Sequence, residues 1–195
     1  TVEDVKYVLS SHFQGTPYDP YAKHSDPVYR NKYRAIGINR NDFLSLIQMR
    51  PGMEKDCNIL EWVAFASNAF NVLAPIYTDI DTTPGYLSGT NGKVSTENFY
   101  WMSRMIAAMA DASYSKSVFH IERYQESIAA KSHELLNRYD TLLEQETDEE
   151  TRKKIQEEAN EKIAGMLQCE AADTLDKVLY ELSGQMKNAY ARSDA

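Results

Sequence analysis

The chain has 195 residues, 43% of them hydrophobic and 26% charged, with a formal net charge of −8 at pH 7. This describes a globular chain long enough to bury a core without disulfide staples, and its acidic balance excludes general nucleic-acid binding, which calls for a basic surface. No apolar run approaches the roughly 18 residues of a membrane span. Residues 1–30 carry no basic stretch followed by an apolar one, so neither a membrane partner nor a signal peptide is expected.

The two halves differ. All six prolines lie at or before Pro84, and after Gly92 only Gly165 and Gly184 remain. Residues 1–116 hold 11 Lys/Arg against 12 Asp/Glu, whereas residues 117–195 hold 10 against 17. We divide the chain at 1–93, mixed and turn-rich, and 94–195, helical and acidic.

Thr1, Glu3 and Asp4 read as a cap and acidic first turn of a short helix with Val5, Val8 and Leu9 on one face. Gly15, Pro17, Pro20 and Pro27 make residues 14–32 a long loop. Residues 33–38 and 43–49 read as strands joined by a turn at 39–42. Residues 60–66 and 70–77 read as two more, the last stopped or bent at Pro75. Together these four form an antiparallel meander. Ser95 reads as the cap of a helix with Phe99, Met102, Ile106, Met109 and Ala110 on one face. Apolar residues from Val118 to Leu142, at steps of three and four, predict a helix of about 30 residues. Thr147 opens a capping box for the next helix, along which Ile155, Ile163, Leu167, Val178 and Met186 recur. Two long helices joined by a short polar turn form an antiparallel hairpin, so the fold class is α+β.

Candidate chemistry is sparse. His133-Glu134 resembles the start of a zinc helix motif, but Asn137 stands where the second histidine is required, so no metal is expected. Gly89–Ser95 resembles a phosphate loop but has Leu87 at the first glycine position and Val94 after the lysine, and reads as a polar turn. No cofactor is expected. Cys57 and Cys169 are distant and belong to no CxxC pair, which suits a reducing, cytoplasmic setting. His12 and His24 flank the proline-rich loop. A lone histidine there is ordinarily structural, but His12 with Gln14, Thr16 and Asp19 is a candidate polar substrate pocket. Asn68 and Asn71, between two apolar segments, ordinarily close a turn and are also candidates to hold a substrate's backbone or terminus. Thr1 invites comparison with N-terminal nucleophiles, whose own α-amine is the base. Those nucleophiles open a strand within a pocket, whereas Thr1 opens a capped helix. From these residues alone no catalytic set emerges, and the chain reads as an α+β domain with a helical hairpin.

Several runs resemble the C-terminal part of the peptidase family C69 dipeptidases: VLSSHFQGTPYDP at 8–20, IGINR at 36–40, WVAFASNAFN at 62–71 with APIY at 74–77, and VSTENFYW at 94–101 with Arg104 and 107–111. They follow in the family's order over about residues 3–140. The resemblance implies an N-terminal-nucleophile (Ntn) hydrolase with a four-layer αββα sandwich, residues 1–93 supplying the C-terminal part of the sandwich. It implies hydrolysis of dipeptides or other short peptides through a thioester on an N-terminal cysteine. It also implies that this cysteine lies upstream of Thr1, because neither Cys57 nor Cys169 has a free α-amine. No catalytic role is therefore assigned to any residue here. The candidate substrate-binding residues are His12, Gln14, Asn68 and Asn71, and the isolated chain is expected to be inactive. A sheet cut between strands exposes an edge, so self-association through that edge or through the Met-rich face at 99–110 is expected, giving a homo-oligomer. The alternatives are a non-catalytic helical interaction module docking a partner through its acidic hairpin, and an amide acylase of the same fold.

Overall fold

The computed structural model describes residues 1–22, 27–29, 32–54 and 56–186. His24 lies outside the described residues. The fold is mixed α/β, with three antiparallel strands backed by long helices.

Helix α1 spans Val2–Leu9. Thr1 caps it reciprocally: the Asp4 amide donates to Thr1 Oγ1, and the Asp4 carboxylate accepts from the Thr1 amine at 2.9 Å. The sheet is β1 (Phe43–Met49), β2 (Ile59–Phe65) and β3 (Ala74–Tyr77), in that order. Phe43 pairs with Phe65 and Met49 with Ile59, and Leu60 pairs with Tyr77 across the next ladder. The meander thus has three strands, not four. Residues 33–38 have a strand-like composition but join no sheet. Gly37 instead lies against the end of α1, its N–H donating to Ser11 O at 2.8 Å. Residues 70–73 are likewise not strand. A turn on Ser67 takes Phe70 and Asn71 as donors to its carbonyl, and only Ala74–Tyr77 pairs.

Helix α2 spans Phe99–Ala112, α3 Tyr114–Gln145 and α4 Glu149–Ser183. The expected long hairpin is α3 with α4. Two caps differ from the expectation. Asn98, not Ser95, caps α2 through the Tyr100 and Trp101 amides, and Asp148, not Thr147, caps α4 through the Thr151 amide. Ser95 Oγ accepts instead from Glu97 N at 3.1 Å, ahead of the helix, which leaves the first amides of α2 to Asn98.

The inner sheet face carries Leu44, Leu60, Trp62 and Ala64, packed against Leu136, Tyr139 and Leu143 of α3 and Ala159 of α4. A second cluster joins Phe70 and Val72 to Phe99, Met102 and Ile106 of α2, Ile128 of α3, and Ile163 and Leu167 of α4. Each such side chain withdrawn from water contributes about 1.5–3 kcal/mol. Met102 is buried, and Met105 and Met109 pack against the same cluster, so the Met-rich face is core and not an association surface. The opposite sheet face leaves Phe43, Ile47 and Met49 exposed. At the far edge, the Asn160 side chain of α4 accepts from Tyr77 N at 2.9 Å and donates to Tyr77 O at 3.0 Å. Among the described residues there is one sheet, and no helix is long and apolar enough to cross a membrane.

Candidate functional site

A cleft of about 510 Å³ lies between α1, the segment around Ala69–Leu73, and the first half of α3. Trp62, Phe70, Val72, Leu73 and Ile121 give it an apolar wall, while Lys6, His12, Gln14, Glu122, Gln125 and Glu126 bring polar groups. That size and mixed lining suit a small organic ligand.

His12 is buried and lies 3.1 Å from Asp19, Nδ1 to Oδ1. A carboxylate at that nitrogen favours the tautomer that carries a proton on Nδ1. The same Asp19 oxygen accepts from Tyr21 N at 2.9 Å, and the His12 ring stands edge-on to both Tyr21 and Tyr114, which stack on each other at 4.1 Å. The imidazole is therefore held in one orientation. Gln14 turns back on the same loop, its Oε1 accepting from His12 N at 3.0 Å. Phe13 between them adopts a left-handed φ of 64°, which is what lets this short loop reverse.

Asn68 and Asn71 do not line this cleft. The Asn71 side chain donates to Ala66 O at 3.0 Å and to Asn68 Oδ1 at 3.2 Å, and the Asn68 side chain donates to Leu9 O at 3.3 Å. Both amides brace the turn that forms the wall beside His12. The structure thus brings His12 and Gln14 together on the cleft and sets Asn68 and Asn71 behind it.

Lys6 was not among the sequence candidates. Its ammonium donates to Ser10 Oγ at 2.7 Å and to Asn68 O at 2.6 Å, it forms no ion pair among the described residues, and burial lowers its pKa to about 7. An amphipathic α1 gives no sequence signal for this, because Asn68 lies 62 residues away. Gln125 was also missed. From α3 it donates to Ala69 O and Asn71 O, tying helix to turn.

The nucleophile candidates are otherwise engaged. Thr1 Oγ1 donates to Asp4 at 2.8 Å, within the α1 cap. Cys57 is 1% exposed, and burial pushes its thiol above the usual range despite the Arg152 guanidinium at 3.3 Å. Cys169 is an exposed free thiol on α4. His133 lies 2.6 Å from Glu3, whose carboxyl that contact lowers in pKa.

The model for "Peptidase family C69" matches residues 1–127. The whole chain aligns at 38% identity with a protein named Dipeptidase of Bifidobacterium longum, covering 43% of it. It aligns at 40% with Probable dipeptidase A of Streptococcus pyogenes serotype M18, covering 40% of that protein. Over 95% of the chain it is 37% identical to Probable dipeptidase B of Lactococcus lactis, covering 37% of it. The chain therefore spans about two fifths of the length of these relatives.

Proposed function

The chain belongs to peptidase family C69, and we propose that it is the substrate-binding portion of a cysteine dipeptidase whose nucleophile lies outside these residues. One observation carries the dipeptidase reading: the entire chain, not a single motif, aligns with proteins named dipeptidases. The position of the nucleophile is supported by chemistry. A cysteine nucleophile needs a thiolate, and Cys57 is buried with its pKa raised, while Cys169 is an exposed thiol on a long helix. Thr1 is committed to a helix cap.

The peptide lies in the cleft beside His12 and Gln14, with apolar side chains against Phe70, Val72 and Ile121. Asn68 and Asn71 contribute by fixing the turn that shapes the wall. The exposed apolar face at Phe43, Ile47 and Met49 is what a second antiparallel sheet of an Ntn sandwich would cover. A cytoplasmic location is supported by two free thiols.

The test is dipeptide hydrolysis by the protein at the full length of its relatives and by these 195 residues alone. We expect turnover by the first and none by the second. Turnover by the chain alone overturns the placement of the nucleophile. A full-length protein that leaves dipeptides intact overturns the dipeptidase reading and favours an acylase of the same fold.

A further inference from the structure

His12 has one ring nitrogen committed and one open to the cleft. Nδ1 faces Asp19 Oδ1 at 3.1 Å, and that oxygen also accepts from Tyr21 N. In the tautomer that carries its proton on Nδ1, Nε2 is an acceptor. It has no hydrogen-bond partner among the described residues and keeps accessible surface, although the residue is otherwise buried. Tyr21 and Tyr114 hold the ring edge-on, and Phe13 beside it adopts a left-handed φ. Backbone strain of this kind persists where the surroundings enforce it, and it concentrates at functional sites.

An acceptor for one peptide N–H needs no carboxylate behind it. An imidazole that takes up a proton during a reaction does, because the carboxylate stabilises the cation and holds the ring on target. Buried Asp19 fills that place. The other polar groups of the cleft suit the role less. Lys6 is engaged with Ser10 and Asn68 O, and Gln125 with Ala69 O and Asn71 O. Gln14 Oε1 is taken by His12 N, and Glu122 and Glu126 are exposed on α3 with no such support.

We infer that His12 is the general base that delivers water to the acyl group of the substrate, with Asp19 as its positioning residue. The inference rests on the cysteine-dipeptidase reading and deepens it. An N-terminal nucleophile brings its own base, the α-amine, to the first step. The water of the second step enters from the cleft that His12 lines. A water proton passes to Nε2 as the water oxygen bonds to the acyl carbon. The C–S bond breaks, its electron pair stays on sulfur, and the thiolate takes the proton back from the imidazolium.

The experiment follows Ala-Leu hydrolysis by the full-length protein as wild type, His12→Gln and Asp19→Asn. A general base contributes about 10²–10⁴-fold, so His12→Gln should lower kcat about a hundredfold. Because only the second step slows, KM should fall with kcat, and kcat/KM should stay within about twofold of wild type. Leucine should appear in a stoichiometric burst, and mass spectrometry after acid quench should find the alanyl group on the protein. Asp19→Asn keeps the shape but not the charge, and should give the same pattern in weaker form. If His12→Gln does not fold, Asp19→Asn decides by the same readouts. A residue that only binds peptide or shapes the loop would lower kcat/KM and give no burst. That result, or an unchanged kcat in the folded variants, overturns the inference and leaves the dipeptidase reading standing. A wild-type protein inactive on Ala-Leu overturns that reading and the inference with it.

Discussion

Asp140 of α3 joins three elements. Its Oδ2 accepts from Arg50 Nη1 at 2.6 Å just past β1, and its Oδ1 accepts from the Tyr77 hydroxyl at 2.7 Å on β3. Arg50 also donates to Cys57 O at 2.5 Å and lies over the Tyr77 ring. Asp140→Ala leaves a guanidinium and a phenol without their acceptor. Breaking a buried pair this way costs about 3–5 kcal/mol. The Arg50 and Asp140 side chains keep 14% and 20% of their exposure, so water relieves part of that and the lower end, about 3 kcal/mol, applies. In urea, with a slope of about 2 kcal/mol per molar, the midpoint should fall by about 1.5 M. Arg50→Met with Asp140→Leu should cost about 1–2 kcal/mol less than the two single changes summed, because neither charge is then left alone. An Asp140→Ala loss below about 1 kcal/mol, or additive single changes, would refute the claim that this ion pair clamps sheet to hairpin.

Other predictions concern single residues. The Lys6 pKa of about 7 lies below its ordinary 10.5. Between those pH values the unfolded chain binds a proton that the folded chain does not. Stability should therefore rise as pH climbs from about 7 toward 10.5 and lose this dependence below 7. Acetylation of Lys6 followed by mass spectrometry should show reactivity developing near pH 7, and reactivity confined to pH 10 would contradict the burial. Gly37→Ala would set its Cβ 2.3 Å from Ser10 O, a backbone atom that cannot swing away. We expect a loss of about 2 kcal/mol, and an unchanged thermal midpoint would show that residues 33–38 do not dock on α1. With a thiol reagent, Cys169 should react at once and Cys57 only on unfolding. Two equal fast phases would mean that the Cys57 loop is open.

Periodicity made much of the fold legible. The hairpin followed from apolar steps of three and four, a pattern that reflects burial on one face of a helix, and β1 from a strand-forming run after the polar turn at 39–42. Residues 33–38 misled because aromatic and β-branched composition describes a strand wherever it lies, and Gly37's fit against Ser10 is a contact over 27 positions. The cap shifts to Asn98 and Asp148 are the same lesson at short range: several capping residues stood in a row, and backbone geometry chose among them. His12 and Gln14 were legible as a polar pair on a turn. Lys6 was not, because the carbonyl it meets belongs to Asn68, 62 positions away.

The Asn160 amide occupies both backbone groups of Tyr77. Two residues earlier on the same side of the strand stands Pro75, which has no N–H to offer. The sheet therefore has a finished side and an unfinished one, and a new strand can be added only beside β1. A filament needs two open edges on every unit, because each added copy must expose a fresh one. With β3 closed, two copies joined β1 to β1 use up the open edges and stop. Whatever completes this layer, another stretch of polypeptide or a second copy, approaches from one direction, and the helical hairpin marks where the layer ends.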